Sequence, residues 1–254
     1  MDKTMRITLI VPCYNEEANF QKGVLDKIGN YTRDNEQYCE VLIVDDGSTD
    51  LSRDVVKRDY LPKYPKFRLV ECEHRGKAMT VISGIHAACA EYVIFTDADL
   101  ATPIEEAQKL VDRAIKTKAP IVIGSRGATR PDAPLARKIM ALGMIVIRTV
   151  FFGLGGIKDT QCGFKLFHKA KAEKVISKLQ VFNRKKAGKH ASVSAIFDLE
   201  FLFVARKMRL KISEVPVSWR HVETKRVSFF KDIFESLADM VRLKWYEIQG
   251  RYHV

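Results

Sequence analysis

Five short runs rich in β-branched residues, RITLIV (6–11), EVLIVD (40–45), FRLVEC (67–72), YVIFTD (92–97) and IVIGS (121–125), are separated by helix-length segments with apolar residues three and four apart. Strands that alternate with helices in this way form βαβ units, because a parallel neighbour is reached only through a crossover. Their near-continuous apolar character points to burial on both faces, hence a mainly parallel sheet covered by helices. Ligands of such sheets sit beyond the carboxyl ends of the strands. Four of the five runs end in groups able to meet a ligand: PCYNEE after the first, DDGSTD after the second, DAD at the fourth and GSR at the fifth. The topology predicts that these four endings converge on one rim.

The length of 254 residues, 46% hydrophobic and 29% charged, suits one large α/β domain or one domain with an appendage. Lys and Arg (43) exceed Asp and Glu (31), and the net charge of +12 favours polyanionic partners: nucleotide phosphates, nucleic acid or an anionic lipid surface. The five cysteines are odd in number, widely spaced and contain no CxxC pair, which argues against a disulfide framework or a zinc site and for a reducing cytosol. The start, MDKTMRITLIVP, enters a strand at once and lacks the apolar region of a signal peptide. The most apolar long stretch, residues 139–157, carries Arg148 near its middle and four glycines. An arginine at mid-bilayer costs roughly 2.5–3.5 kcal/mol even on the insertion scale, so this stretch is expected to be a buried or interfacial helix rather than a span.

Beyond Arg126 the pattern changes. GATRPDAP (127–134) reads as a loop, residues 135–152 as a helix, DTQCGFKLF (159–167) as a turn and strand, and NRKKAGKHAS (183–192) as a basic loop. A helix around FDLEFLFVARKM (197–208) and a strand in KISEVPVSW (211–219) follow. The expected organisation is one α/β domain over residues 1–227 and, over 228–254, an amphipathic helix with a basic tail. In that helix Phe230, Ile233, Phe234, Leu237 and Val241 recur at helical spacing, a stripe that either packs on a core or lies in a lipid interface. Arg242, Lys244 and Trp245 favour the interface.

Asp97 and Asp99 lie at a strand end with one small residue between them. Like charges this close repel unless a cation sits between them, and a divalent metal is the simplest one. Two such carboxylates bind Mg²⁺ or Mn²⁺ through oxygen, and the metal then neutralises a diphosphate leaving group. Lys77 and Arg126, each just past a strand end, can hold phosphate oxygens, although a lone basic side chain is by default a solvated surface charge. In DDGSTD, Asp45 or Asp46 either accepts hydrogen bonds from a ribose or base or serves only to turn and cap. In PCYNEE, Pro12 ends the strand, Asn15 caps, and Glu16 or Glu17 suits the positive end of the helix dipole.

Taken in order, IVPCYNEE, VDDGSTD, RGKAMTVISGI, FTDADLATP, GSR, DTQCGFKLF and FDLEFL resemble the inverting family 2 glycosyltransferases with a GT-A fold, among them the polyprenyl-phosphate sugar transferases of the dolichyl-phosphate β-glucosyltransferase type. DTQCGFKLF is the most specific piece, and the resemblance covers nearly the whole chain. It implies that Pro12, Tyr14, Glu16 and Asp46 hold the nucleoside end of a nucleotide-sugar. It further implies that Asp97 and Asp99 position the metal and diphosphate with Lys77 nearby, and that Arg126 and Arg137 receive the acceptor's phosphate. Gln161 and Asp198 would line the sugar and acceptor side, although Asp198 also reads as a helix N-cap. Ala101 and Ala141 depart from the family by standing where mannosyl-type relatives carry Gln and Ser. Many relatives carry membrane anchors, which are not seen here.

These implications give an expected reaction: transfer of a hexose, glucose from UDP-glucose as first choice, to a polyprenyl or dolichyl phosphate with inversion. Mg²⁺ or Mn²⁺ would serve as cofactor, and the protein would act from the cytoplasmic face of a membrane as a peripheral partner, by itself or with a membrane protein or a second copy. The rivals are a GDP-mannose-dependent enzyme of the same type, a transferase acting on a saccharide or protein hydroxyl with Asp198 as base, and a basic nucleic-acid-binding protein. No nucleic-acid module is recognisable, so nucleic acid is not an expected partner.

Overall fold

The computed structural model describes residues 5–126, 143, 147–186, 194–220 and 229–253. Seven strands form one sheet in the order β3-β2-β1-β4-β6-β5-β7. They are β1 (Ile7–Cys13), β2 (Tyr38–Asp45), β3 (Phe67–Glu71), β4 (Tyr92–Phe95), β5 (Ile121–Ser125), β6 (Lys165–His168) and β7 (Ile212–Pro216). All strand pairs are parallel except those of β6, which runs antiparallel to both β4 and β5. The alternation expected from the sequence therefore holds, and the four polar endings do lie on one rim, joined there by the residues that lead into β6.

The strands are apolar throughout because both faces of the sheet are covered. Ile10, Leu42, Val44, Phe95, Ile123 and Phe167 face one layer, whereas Leu9, Val11, Ile43, Ile94, Val122 and Leu166 face the other, the period-2 alternation of a strand buried on both sides. On the first face lie α4 (Lys77–Ala87), α7 (Lys169–Ile176), α8 (Val181–Lys186), α9 (Ser194–Lys207) and the second half of α10 (Phe229–Ile248). On the second lie α2 (Val24–Arg33) and α5 (Ala107–Thr117). Helix α1 (Glu17–Gln21), α3 (Ser52–Val55), which continues as a π-helical turn over Val56–Tyr60, α6 (residues 147–152) and a short 3-10 turn (Ile104–Glu106) ahead of α5 are also described.

Two expectations change, and the stripe of α10 takes the open position that an interfacial helix allows. Pro12 does not end β1, which continues to Cys13; β4 pairs only with residues up to Ile10, so the missing Pro12 N–H deprives no ladder partner on that side. The basic segment at 183–192 begins inside α8 rather than as a loop, and its residues 187–192 lie outside the described ones. In α10, Met240, Leu243 and Tyr246 point inward, and Asp239 is buried beside Arg242, while Leu237 and Val241 of the expected stripe are exposed. Phe230, Ile233 and Phe234 of that stripe lie outside the described side chains. No described helix is long and apolar enough to cross a membrane.

Helix α4 settles close on the sheet because Gly84 presents no side chain. A Cβ there would stand 2.6 Å from Cγ2 of Ile10 and 3.2 Å from Cγ2 of Val44. Gly84→Ala is therefore expected to lower unfolding free energy by about 1–3 kcal/mol through overpacking, read as a lower urea midpoint at unchanged m-value.

Candidate active site

The endings of β1 and β2 brace each other. Asn15, at φ 55°, accepts at Oδ1 from the backbone N–H of Thr49 (2.8 Å) and Asp50 (3.3 Å), so it closes the neighbouring turn instead of capping α1. In return Ser48 and Ser52 accept from the N–H groups of Asn15 and Glu16, and Asp50 accepts from that of Glu17. Asp45 is fully buried and accepts from the Gly47 and Ser48 N–H groups, the turning role the sequence allowed. Asp46 is also buried, but it reaches forward: Oδ1 accepts from the Arg75 N–H and Oδ2 from the Gly76 N–H, both at 2.9 Å, with His74 Nδ1 at 2.9 Å from Oδ2. Asp46 thereby fixes the turn that starts α4. Half-exposed Tyr14 stacks on the His74 ring, centroids 4.2 Å apart.

From that turn α4 sends Lys77 to Asp97, with Nζ on Oδ1. Burial lowers the Lys77 ammonium's pKa, but Asp97, with Asp198 and Asp99 behind it, outweighs burial and leaves it above its ordinary value. Asp99 accepts from the Ala101 N–H at 2.9 Å. Burial, joined by the negative field of Asp99 and Asp97, holds the Glu16 carboxyl above the usual carboxylate range against an opposing hydrogen bond from Asn19. Glu16, Asp97 and Asp99 thus share one region of negative potential. Among the described residues no three acidic, His or Cys side chains form a ready-made metal cage. The oxygen donors of Asp97 and Asp99 fit a hard divalent cation that takes its remaining ligands from a substrate's phosphates and water, the usual manner of Mg²⁺.

The residues before β6 supply the opposite wall. Arg126, at the end of β5, makes a two-pronged pair with Asp159, Nε to Oδ2 at 2.7 Å and Nη2 to Oδ1 at 2.9 Å. Burial works against both charges, yet the pairing raises the Arg126 pKa and holds the Asp159 carboxyl below its usual range. Gly163 abuts Asp97 so closely that a Cβ would overlap its carboxylate. Lys165, first residue of β6, projects into the α4–α9 layer, where Nζ lies 2.6 Å from Asp198 Oδ1. Asp198 stands in the second turn of α9, which begins at Ser194, so it is not an N-cap. Burial holds its carboxyl above the usual carboxylate range, against the downward pull of Lys165 and then Lys77.

Lys77, Arg126, Gln161 and Asp198 line one cavity of about 190 Å³, together with Gly163 and Phe197. Asp97 borders it through Lys77 and Gly163; Pro12, Tyr14, Glu16, Asp46 and Asp99 are not in its lining. Arg137 lies outside the described residues.

Residues 8–176 match the sequence profile of glycosyl transferase family 2. The chain belongs to that family. It is 29% identical to the dolichyl-phosphate β-glucosyltransferase of Saccharomyces cerevisiae, an alignment spanning 99% of this chain and 78% of the yeast protein. With a dolichyl-phosphate β-glucosyltransferase of Trichomonas vaginalis it shares 31% identity over 98% of this chain and 76% of that one. Glucosyl-3-phosphoglycerate synthase of Mycobacterium tuberculosis, solved with UDP, superposes with a TM-score of 0.67 over 94% of this chain and 80% of the synthase at 16% identity. The same synthase solved with Mn²⁺, UDP and glucosyl-3-phosphoglycerate gives 0.60 at 17% identity, over 98% and 80% of the two chains. The glycosyltransferase has the GT-A fold expected from its motifs.

Sequence reasoning missed Asp159, Gly163, Lys165 and His74. The first three sit inside DTQCGFKLF, the motif singled out as most specific, where a lysine heading an otherwise apolar strand was the available signal. His74 precedes a glycine turn and gave none. Gly163→Ala should displace Asp97, cutting glycosyl transfer by about 10²-fold while circular dichroism and the thermal midpoint stay near wild type; a fully active variant would show that Asp97 need not stand where it does.

Proposed function

We propose that the chain transfers glucose from UDP-glucose to the phosphate of a polyprenyl or dolichyl phosphate, with inversion and with Mg²⁺ or Mn²⁺ as cofactor. The convergence of Lys77, Arg126, Gln161 and Asp198 on one cavity beside Asp97 carries this reading. Its acceptor is supported by the dolichyl-phosphate β-glucosyltransferases to which the chain is similar almost end to end, and its donor and cation by the UDP and Mn²⁺ of the mycobacterial synthase.

In this reading Pro12, Tyr14 and Glu16 face the donor's nucleoside, and Asp46 holds the adjoining turn. Asp97 and Asp99 hold the cation, which when bound neutralises charge on the diphosphate. Lys77 takes a phosphate oxygen, Gln161 and Asp198 flank the hexose, and Arg126 with Arg137 receives the acceptor. An oxygen of the acceptor phosphate attacks the anomeric carbon as the bond to UDP breaks, a single displacement that inverts configuration. The acceptor is already anionic at pH 7, so base assistance matters less than placement and stabilisation of the leaving group. Asp198 Oδ1 is engaged by Lys165, and in this reading the carboxylate accepts hydrogen bonds from a hydroxyl of the sugar.

The lipid acceptor requires access to a membrane, and the same proposal assigns residues 228–254, beside a catalytic domain of 1–227, to an anionic bilayer on its cytoplasmic face. Leu237, Val241, Trp245 and Ile248 form an exposed apolar stripe on α10, with Val241 71% and Trp245 57% exposed. Exposed Val150 and Phe151 of α6 continue it, tied by the Lys244 ammonium donating to the Phe151 carbonyl at 3.1 Å. The net positive charge complements anionic headgroups.

Labelled UDP-glucose mixed with polyprenyl phosphate in anionic vesicles and Mg²⁺ or Mn²⁺ should yield label that partitions into organic solvent. EDTA or Asp99→Asn should abolish it, and high salt should release the protein from the vesicles. Label that stays in water, or transfer untouched by EDTA, contradicts the proposal.

A further inference from the structure

Lys165 is the least expected side chain of the interior. It lies on an inner strand, on the same face as Phe167, next to Phe95 and Ile123 in the strand register, and it is 1% exposed. Its ammonium sits 5.2 Å from the Phe95 ring centroid and 2.6 Å from Asp198 Oδ1. A buried ion pair is a poor device for stability, because a well-packed apolar pair of the same volume does as well or better, whereas loss of one partner leaves an uncompensated charge. Stability therefore gives no reason for this pair.

Geometry does. Asp198 lines the cavity while Lys165 is sealed behind it, so the pair joins the solvent-free interior to the cavity wall. With Oδ1 held by Lys165, the rotamer of Asp198 is fixed. Burial drives the Asp198 carboxyl toward its neutral form, and Lys165 is the first of the groups that oppose this. A protonated or rotated Asp198 would present a donor, or nothing, where an ionised and fixed one presents an acceptor.

We propose that Lys165 is a positioning residue of the transfer reaction, holding the Asp198 carboxylate as an aimed acceptor for a hydroxyl of the transferred sugar. The inference rests on the placement of Asp198 at the sugar side in the function proposed above. It makes a specific demand: Lys165 acts through Asp198, it serves the sugar and not the nucleotide, and its charge is what matters.

The test compares Lys165→Met, Lys165→Arg, Asp198→Asn and the double variant Lys165→Met with Asp198→Asn. Each is assayed for UDP affinity by calorimetry, for kcat and KM with UDP-glucose in transfer to polyprenyl phosphate, and for UDP release without acceptor. Lys165→Met should lower kcat by about 10- to 100-fold with UDP affinity unchanged, Lys165→Arg should recover most of the loss, and the double variant should lose no more than Asp198→Asn alone. Wild-type kcat in a folded Lys165→Met variant, or a double variant whose losses multiply, overturns the inference. Should Lys165→Met fail to fold, the double variant, which leaves neither charge unpaired, is compared by the same criterion with an Asp198→Asn whose fold is verified by circular dichroism, since that variant leaves the buried Lys165 ammonium without its carboxylate. A wild-type protein that releases UDP from UDP-glucose but does not use polyprenyl phosphate would refute the acceptor and leave the Lys165 comparison readable in UDP release.

Discussion

β6 runs antiparallel to both of its neighbours, so its beginning, not its end, lies at the rim where β1, β2, β4 and β5 finish. Were it parallel, the residues before it would emerge at the opposite edge of the sheet. Reversal places Asp159, Gln161 and Gly163 across from Asp97 and turns Lys165 toward α9. Arg126 then finds Asp159, the Gly163 backbone closes on Asp97, and Asp198 acquires its buried counter-ion. The cavity exists because the ends of β4 and β5 and the beginning of β6 meet there, two running out and one running in, with α4 and α9 beside them.

Charge is carried into that space in pairs. Lys77 holds Asp97, Arg126 holds Asp159 and Lys165 holds Asp198. Of these, the Lys165–Asp198 and Arg126–Asp159 pairs are largely buried, where either charge alone would be costly, while Lys77 and Asp97 stay partly exposed. A site built this way is polar and oriented before any ligand arrives, the condition under which fixed charges act on a reaction without reorganising. For the proposed glucosyl transfer, the cations near the diphosphate and acceptor and the carboxylates near metal and sugar are already directed by their partners.

The strands and the rim were legible because a sheet buried on both faces writes itself as apolar runs, and because the polar groups follow those runs directly. Asp97, Lys77, Arg126, Gln161 and Asp198 could be read for that reason or from the family motifs. The direction of β6 could not: antiparallel and parallel buried strands have the same period, and the connection before it passes through α6 without a hairpin signal. With that direction hidden, Asp159 reads as a turn residue, Gly163 as a flexible one and Lys165 as a surface charge. The open face of α10 was partly legible, since Leu237, Val241 and Trp245 lie on it as the stripe suggested, whereas the inward turn of Met240, Leu243 and Tyr246 is decided only by packing.

The central claim, that one cavity between Asp97 and Asp198 holds the donor's hexose in its reacting position, is tested most directly by a crystal structure with UDP-glucose and Mn²⁺, the metal placed by its anomalous signal. The account predicts Mn²⁺ between the diphosphate and the carboxylates of Asp97 and Asp99, with the glucose ring against Gln161 and Asp198. Mn²⁺ bound away from both aspartates, or a glucose directed out of the cavity with Asp198 untouched, would contradict it.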